Sequence, residues 1–179
     1  MKMDKLIRQT LPLFTTILLL SIPYQAWAAD KDYVLNTAST GGTYHPVGTA
    51  IATLTKIKLL PKQKFSLTAV NSAGSGANVQ ALGAGTADFA ILQGLYGSYA
   101  ATGTGPISEP QKNLRSVTML WQNVEQFLVA NEKVKSGTVS DLMSLRGQSA
   151  GMGKQNSGTL GSNKVLLSGL GIDIGSDYD

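Results

Sequence analysis

Two hydrophobic periods alternate along the first half of the chain. Residues 33–37 read as a strand carrying Tyr33, Val34 and Leu35. A helical period follows over 46–57, with Val47, Ile51 and Leu54 on one face. Pro46 suits only a first helical turn, where its missing N–H costs nothing. Leu60-Pro61-Lys62 breaks the period. Residues 65–71 then alternate, placing Phe65, Leu67 and Ala69 on one side. A glycine turn at 72–76 leads into a short helix over 77–84, with Val79 and Leu82 inward. Residues 89–92 form a short apolar run consistent with a buried third strand. The order β-α-β-α-β predicts an α/β fold with a parallel sheet and right-handed crossovers.

The second half is less regular. Residues 96–100 fit a helical turn and 102–106 a loop. Strands are expected over 114–121, 126–130 and 148–151, and short helices over 139–145 and 159–169. The last of these should turn Leu166, Leu167 and Leu170 inward. A new strand would be due where the sequence stops, and the ending is abrupt.

Composition changes this picture mainly at the start. Lys2, Lys5 and Arg8 precede an apolar run from Leu11 to Ile22, and Ala26-Trp27-Ala28 fits a signal-peptidase site. Cleavage after Ala28 and export to a periplasm are the expectation. About 150 residues would remain, enough for a real core. There is no cysteine, hence no lipid-attachment cysteine, disulfide framework or thiolate metal site. Of the formal +4 charge, residues 1–28 carry +2. The remaining basic residues are scattered without interleaved aromatics, which argues against nucleic-acid binding.

Few residues point to catalysis. Gly74-Ser75-Gly76 begins like a dinucleotide fingerprint, but Val79 stands where its third glycine is needed. Met152-Gly153-Lys154-Gln155 resembles the end of a phosphate loop but lacks its first glycine and its Ser/Thr. His45 is the only histidine, and the acidic residues are dispersed, so neither a triad nor a carboxylate pair is in view. No cofactor is expected. What recurs is a strand end leading through a Gly/Ser/Thr turn into a helix, at 40–44, 72–78 and 156–159. A helix start offers unpaired N–H donors and a favourable dipole end. Three converging starts could hold a small acid, although ordinary capped helices use the same residue types.

Several of these segments resemble the TAXI family of TRAP transporter solute receptors. They are Thr40-Gly41-Gly42-Thr43-Tyr44 with Pro46-Val47-Gly48, and Ser72 with Gly74-Ser75 and Asn78. They continue with Gly85, Ala87-Asp88-Phe89-Ala90 and Gln93, then Asp141-Leu142 with Leu145-Arg146-Gly147, Ser149-Ala150-Gly151 and Ser157-Gly158-Thr159. The resemblance implies a type II periplasmic binding protein-like fold of two α/β lobes. Residues 29–124 would form lobe one, and 125–179 the hinge and part of an incomplete second lobe. It implies a receptor for a small organic acid, glutamate-like or a dicarboxylate, that hands its ligand to an ion-gradient-driven TRAP permease. The implied contacts are Thr40, Gly42, Thr43, Tyr44, Ser72, Ser75, Asn78 and Gln93 in lobe one. Ser157, Gly158 and Thr159 would form the opposing clamp, with Tyr44 also stacking on the ligand's carbon chain. Where the family often carries a Tyr and an acidic residue, this chain has Trp121-Gln122-Asn123-Val124-Glu125, which leaves ligand preference open. The other readings are a truncated remnant without transport function and an exported serine hydrolase using Ser75 or Ser157.

Overall fold

The strand expected at 33–37 forms as β1 (Lys31–Asn36), and a computed structural model describes the chain from residue 30 to residue 179. The expected signal segment lies outside the described residues. β1 is followed by α1 (Tyr44–Lys58), α2 (Leu60–Gln63), β2 (Phe65–Val70), α3 (Ser75–Gly83), β3 (Phe89–Ala90) and α4 (Gly94–Thr102). Two 3-10 segments, Asn131–Lys133 and Val139–Leu145, precede α5 (Gly158–Ser168). Among the described residues no helix is long and apolar enough to cross a membrane.

The sheet is parallel, in the order β2-β1-β3. β1 pairs with β2 from Lys31↔Phe65 to Asn36↔Val70, and with β3 at Leu35↔Phe89 and Asn36↔Ala90. The chain therefore leaves β1 toward one edge through α1 and returns to the other edge through α3. The turning point lies between β1 and β3, at their carboxyl ends. Open α/β sheets place ligands in that position, because neighbouring crossovers diverge there and leave a crevice.

Three apolar clusters hold the molecule. α1 packs on the sheet through Leu35, Ala52, Leu67 and Ile91. Val79, Tyr96, Ala100 and Ile107 join α3 to α4. Leu142, Leu167 and Ile172 gather residues 127–178 around α5. The last part is thus built on its own cluster, and among the described residues it contains no strand.

Several expectations are corrected. The buried face of α1 is Gly48, Ala52 and Thr55, whereas Leu54 and Ile57 point outward. The small face brings the helix close to the sheet: a Cβ on Gly48 would stand 2.3 Å from Thr37 Cγ2. Leu60-Pro61-Lys62 forms the one-turn helix α2, because the proline falls in the first turn, where it is tolerated. Leu82 is only half-buried. In α5, Leu167 is fully buried while its neighbour Leu166 is exposed, as the 3.6-residue period requires for adjacent positions. The strands expected at 114–121 and 126–130 carry no regular structure, and no neighbouring strand among the described residues supplies ladder partners. The strand expected at 148–151 is reduced to a short pairing, Ala150 N–H to Asp179 O and Asp179 N–H to Gln148 O.

Candidate binding site

The carboxyl edge of the sheet gathers three loops, and buried polar groups tie them together. Thr37, at the end of β1, is fully buried. Its hydroxyl donates to Val70 O at 2.8 Å and lies 3.1 Å from His45 Nδ1. A hydroxyl has one proton to give, so the Val70 bond leaves Nδ1 as the donor to Thr37. His45 is thereby held by the end of β1 rather than standing free at a helix start.

Ser72 joins the first two loops. Its N–H donates to Ala38 O at 3.2 Å. Its Oγ donates to Thr37 O at 3.2 Å and accepts from Gly74 N–H at 3.0 Å. Asn78 is fully buried one turn into α3. Its Nδ2 donates to Thr37 O at 2.8 Å and to Ile91 O at 2.7 Å, bridging the ends of β1 and β3 across the turning point. Ser75 is also buried, and its Oγ accepts the N–H of Gln93, the residue just before α4, at 3.0 Å. Asn78 Oδ1 and Gln93 Oε1 are shielded and have no partner among the described residues.

The third loop packs directly on the second. Ser157 caps α5, its Oγ accepting Leu160 N–H at 3.1 Å. Gly158 is buried so closely that a Cβ there would stand 2.6 Å from the Gln93 carboxamide and 2.7 Å from Ser75 Oγ. Thr159 is exposed. The Tyr96 hydroxyl on α4 donates to Ser157 O at 3.3 Å. Ser72, Ser75, Asn78, Gln93, Ser157 and Gly158 are thus brought together, with much of their polarity spent on one another.

Thr40, Gly42, Thr43 and Tyr44 form the adjoining wall. Gly42 N–H closes a turn on Ser39 O at 2.9 Å, and Thr40 and Thr43 are exposed. The main-chain N–H groups of Thr43, Tyr44 and His45, at the start of α1, have no acceptor among the described residues. The Tyr44 phenol accepts from Asn123 Nδ2 at 3.2 Å, and its ring meets Trp121 edge-on at 5.5 Å. Burial pushes its pKa up, against the pull of the Asn123 amide. No hydrogen bond joins this wall to Ser157–Thr159 among the described residues.

Sequence reasoning missed Thr37, Tyr96, Asn123 and Asn156. Asn156 carried a readable signal, since Asn before a Ser-Gly helix start suits a left-handed turn. Asp88 is structural: its carboxylate accepts Val34 N–H at 2.9 Å. Among the described residues no group of three or more His, Cys, Asp or Glu side chains is placed to hold a metal. A shallow groove of 670 Å³ lies elsewhere, along His45, Pro46, Thr49, Ala50, Thr53 and Leu54 on the outer side of α1.

A family model described as the NMT1-like family matches residues 35–179, which is most of the chain and spans all three loops. The chain belongs to the NMT1-like family. This is a periplasmic binding protein-like family, and its function in general is to bind a small molecule that a membrane transporter takes up. The parallel β2-β1-β3 sheet is consistent with that fold.

Proposed function

We propose that this NMT1-like chain is a periplasmic receptor for a small organic acid, glutamate-like or a dicarboxylate. It delivers that ligand to an ion-gradient-driven permease of the TRAP type, as TAXI-like receptors do. The observation that carries this reading is the start of α1. Three adjacent N–H groups, at Thr43, Tyr44 and His45, are without an acceptor at the carboxyl edge of a parallel sheet, beside the Thr40 and Thr43 hydroxyls. Such a helix start favours a carboxylate through aligned donors and the positive end of the helix dipole. Tyr44 and Trp121 supply an apolar wall for the carbon chain. The role is binding without chemistry. Among the described residues Ser75 and Ser157 bond main-chain N–H groups and His45 bonds Thr37, so neither serine is paired with the histidine as nucleophile and base. Export with removal of residues 1–28 would bring the chain to its ligand.

A thermal-shift panel of L-glutamate, L-glutamine, succinate and glutarate tests the reading. At one hundred times Kd, bound ligand stabilises by about 2.7 kcal/mol, which in a domain of this size raises Tm by about 5–10 °C. Thr43→Ala should weaken the effective ligand. A flat panel would refute the proposal.

A further inference from the structure

The fold gathers charge that the sequence leaves spread out. Between Asp32 and Asp88 the chain has no acidic residue and no arginine, and its lysines are Lys56, Lys58, Lys62 and Lys64. Lys56 and Lys58 stand in the last turn of α1, and Lys62 in that of α2. Lys64 precedes β2, and its carbonyl accepts the Lys31 N–H at 2.8 Å, so Lys31 joins the group from β1. The group lies toward the amino ends of β1 and β2, away from the edge that carries the candidate site. Two aspartates answer it. Lys64 lies 3.3 Å from Asp30. Lys56 donates to the Thr68 hydroxyl at 3.2 Å, which in turn bonds Asp32. Lys31, Lys58 and Lys62 are exposed and have no acidic partner among the described residues. Residues 88–179 carry seven basic and eight acidic side chains, so the positive excess is confined to this end of the fold.

The same end of α1 is apolar where it meets solvent. Gly48, Ala52 and Thr55 seat the helix on the sheet. The opposite face carries Ala50, Leu54 and Ile57, three or four positions apart, and Leu54 and Ile57 are 56% and 60% exposed. The outer groove of 670 Å³ runs along this face and includes Leu54. A helix that is apolar on both faces is ordinarily covered on both. Lys56 and Lys58 flank the exposed ridge. An apolar ridge between lysines is the pattern of a helix lying in a lipid interface, where the long side chains reach up to the headgroups.

We propose that the last turns of α1, with α2 and Lys31, dock this chain on an anionic bilayer surface. Leu54 and Ile57 enter the interface, while Lys31, Lys58 and Lys62 meet the lipid phosphates. A second copy fits the face poorly, because an isologous contact would set a net positive patch against itself. An acidic protein is disfavoured by the lack of arginine, whose planar fork suits carboxylates in fixed positions. Lysine is a mobile point charge and suits a diffuse layer of headgroups. The start of α1 stands at the other end of a 15-residue helix, about 22 Å away. Docking therefore leaves the candidate site uncovered, and the inference does not depend on which ligand binds there.

The full chain has no cysteine, so one introduced cysteine carries a polarity-sensitive dye to a single position. The dye is attached in Ile57→Cys and, for comparison, in Val165→Cys, an exposed position on α5. With mixed phosphatidylglycerol–phosphatidylcholine vesicles, emission at 57 should brighten and shift to the blue, and emission at 165 should not. Phosphatidylcholine alone should bind at least ~10-fold more weakly. Adding Lys58→Gln and Lys62→Gln to Ile57→Cys should weaken the response at 57 about 25-fold, or about 5-fold for each lysine. Far-UV circular dichroism checks that this variant is folded. No response at 57 would overturn the proposal. An equal response at 165 would too, since no particular face would then be docked. A response unchanged by the two lysine substitutions would also overturn it. So would a response at 57 to soluble polyglutamate but not to vesicles, which would mark an acidic protein as the occupant.

Discussion

Replacing Asn78 perturbs the joint between the two halves of the sheet, and its cost can be worked bond by bond. The side chain is fully buried, and its Nδ2 serves Thr37 O and Ile91 O at 2.8 and 2.7 Å. In Asn78→Ala, Thr37 O keeps the Ser72 hydroxyl as a donor at 3.2 Å. Ile91 O loses its one donor among the described residues. A buried carbonyl left unpaired costs about 1–3 kcal/mol, and the second lost bond about 0.5–1.5 kcal/mol. Removing Oδ1, which has no partner, returns part of this. The net expectation is a loss of about 2–3 kcal/mol. Asn78→Asp keeps the shape but turns acceptor oxygens toward two carbonyls. With an uncompensated buried charge it should cost more, about 3–5 kcal/mol. Urea melts followed by far-UV circular dichroism measure both. With a slope of about 2 kcal/mol/M, Asn78→Ala should lower the midpoint by about 1–1.5 M at unchanged slope. Asn78→Ala within 0.5 kcal/mol of the parent (about the effect of a surface change), or Asn78→Asp milder than Asn78→Ala, would refute the bridge.

Ser157→Ala removes the side-chain cap of α5 and should cost about 1 kcal/mol in the same melts, while Ser157→Asp retains most of the stability. Asp141 tests the acid limb. Its carboxylate is held well below the usual range, first by the Ser136 hydroxyl and then by the main-chain N–H groups of Ser136, Lys135 and Gly137. A depressed folded-state pKa gives stability that is full above the unfolded carboxylate value of about 3.9 and is lost as pH falls below it. Stability should therefore hold from pH 7 down to about 5 and fall below about 4. Asp141→Asn should be less stable at neutral pH and show a shallower acid limb. The remaining slope comes partly from Asp32, which the Ser66 and Thr68 hydroxyls also lower.

How much could be read before the structure depended on whether a feature is local. The alternation through residue 102 marked the strands and helices, because apolar period and glycine turns act over a few neighbouring residues. Of the apolar face read for α1, Ile51 packs on the core and Leu54 does not, because Gly48, Ala52 and Thr55 seat the helix by being small, which a hydrophobic pattern does not register. The strands expected over 114–130 failed for another reason: β-propensity describes a surface suited to pairing, and a strand forms only beside a partner. Site residues divide the same way. Ser72, Ser75 and Ser157 stood out by composition, but the structure engages their hydroxyls in holding loops together. Thr37 and the Asn156 carbonyl act across long sequence distances; the Asn side chain hinted at the left-handed turn at 156, but not at which N–H groups, those of Gly76 and Ala77, its carbonyl would meet.

The central claim is that a small carboxylate binds at the carboxyl edge of the sheet, on the start of α1. An NMR titration of the chain with L-glutamate and with succinate measures this most directly, through the amide resonances of Thr43, Tyr44 and His45. Saturable shifts of these three amides, abolished or weakened in Thr43→Ala, are the predicted result. Resonances that stay fixed with both acids, or shifts confined to the outer groove along Pro46, Thr49 and Leu54, would contradict it.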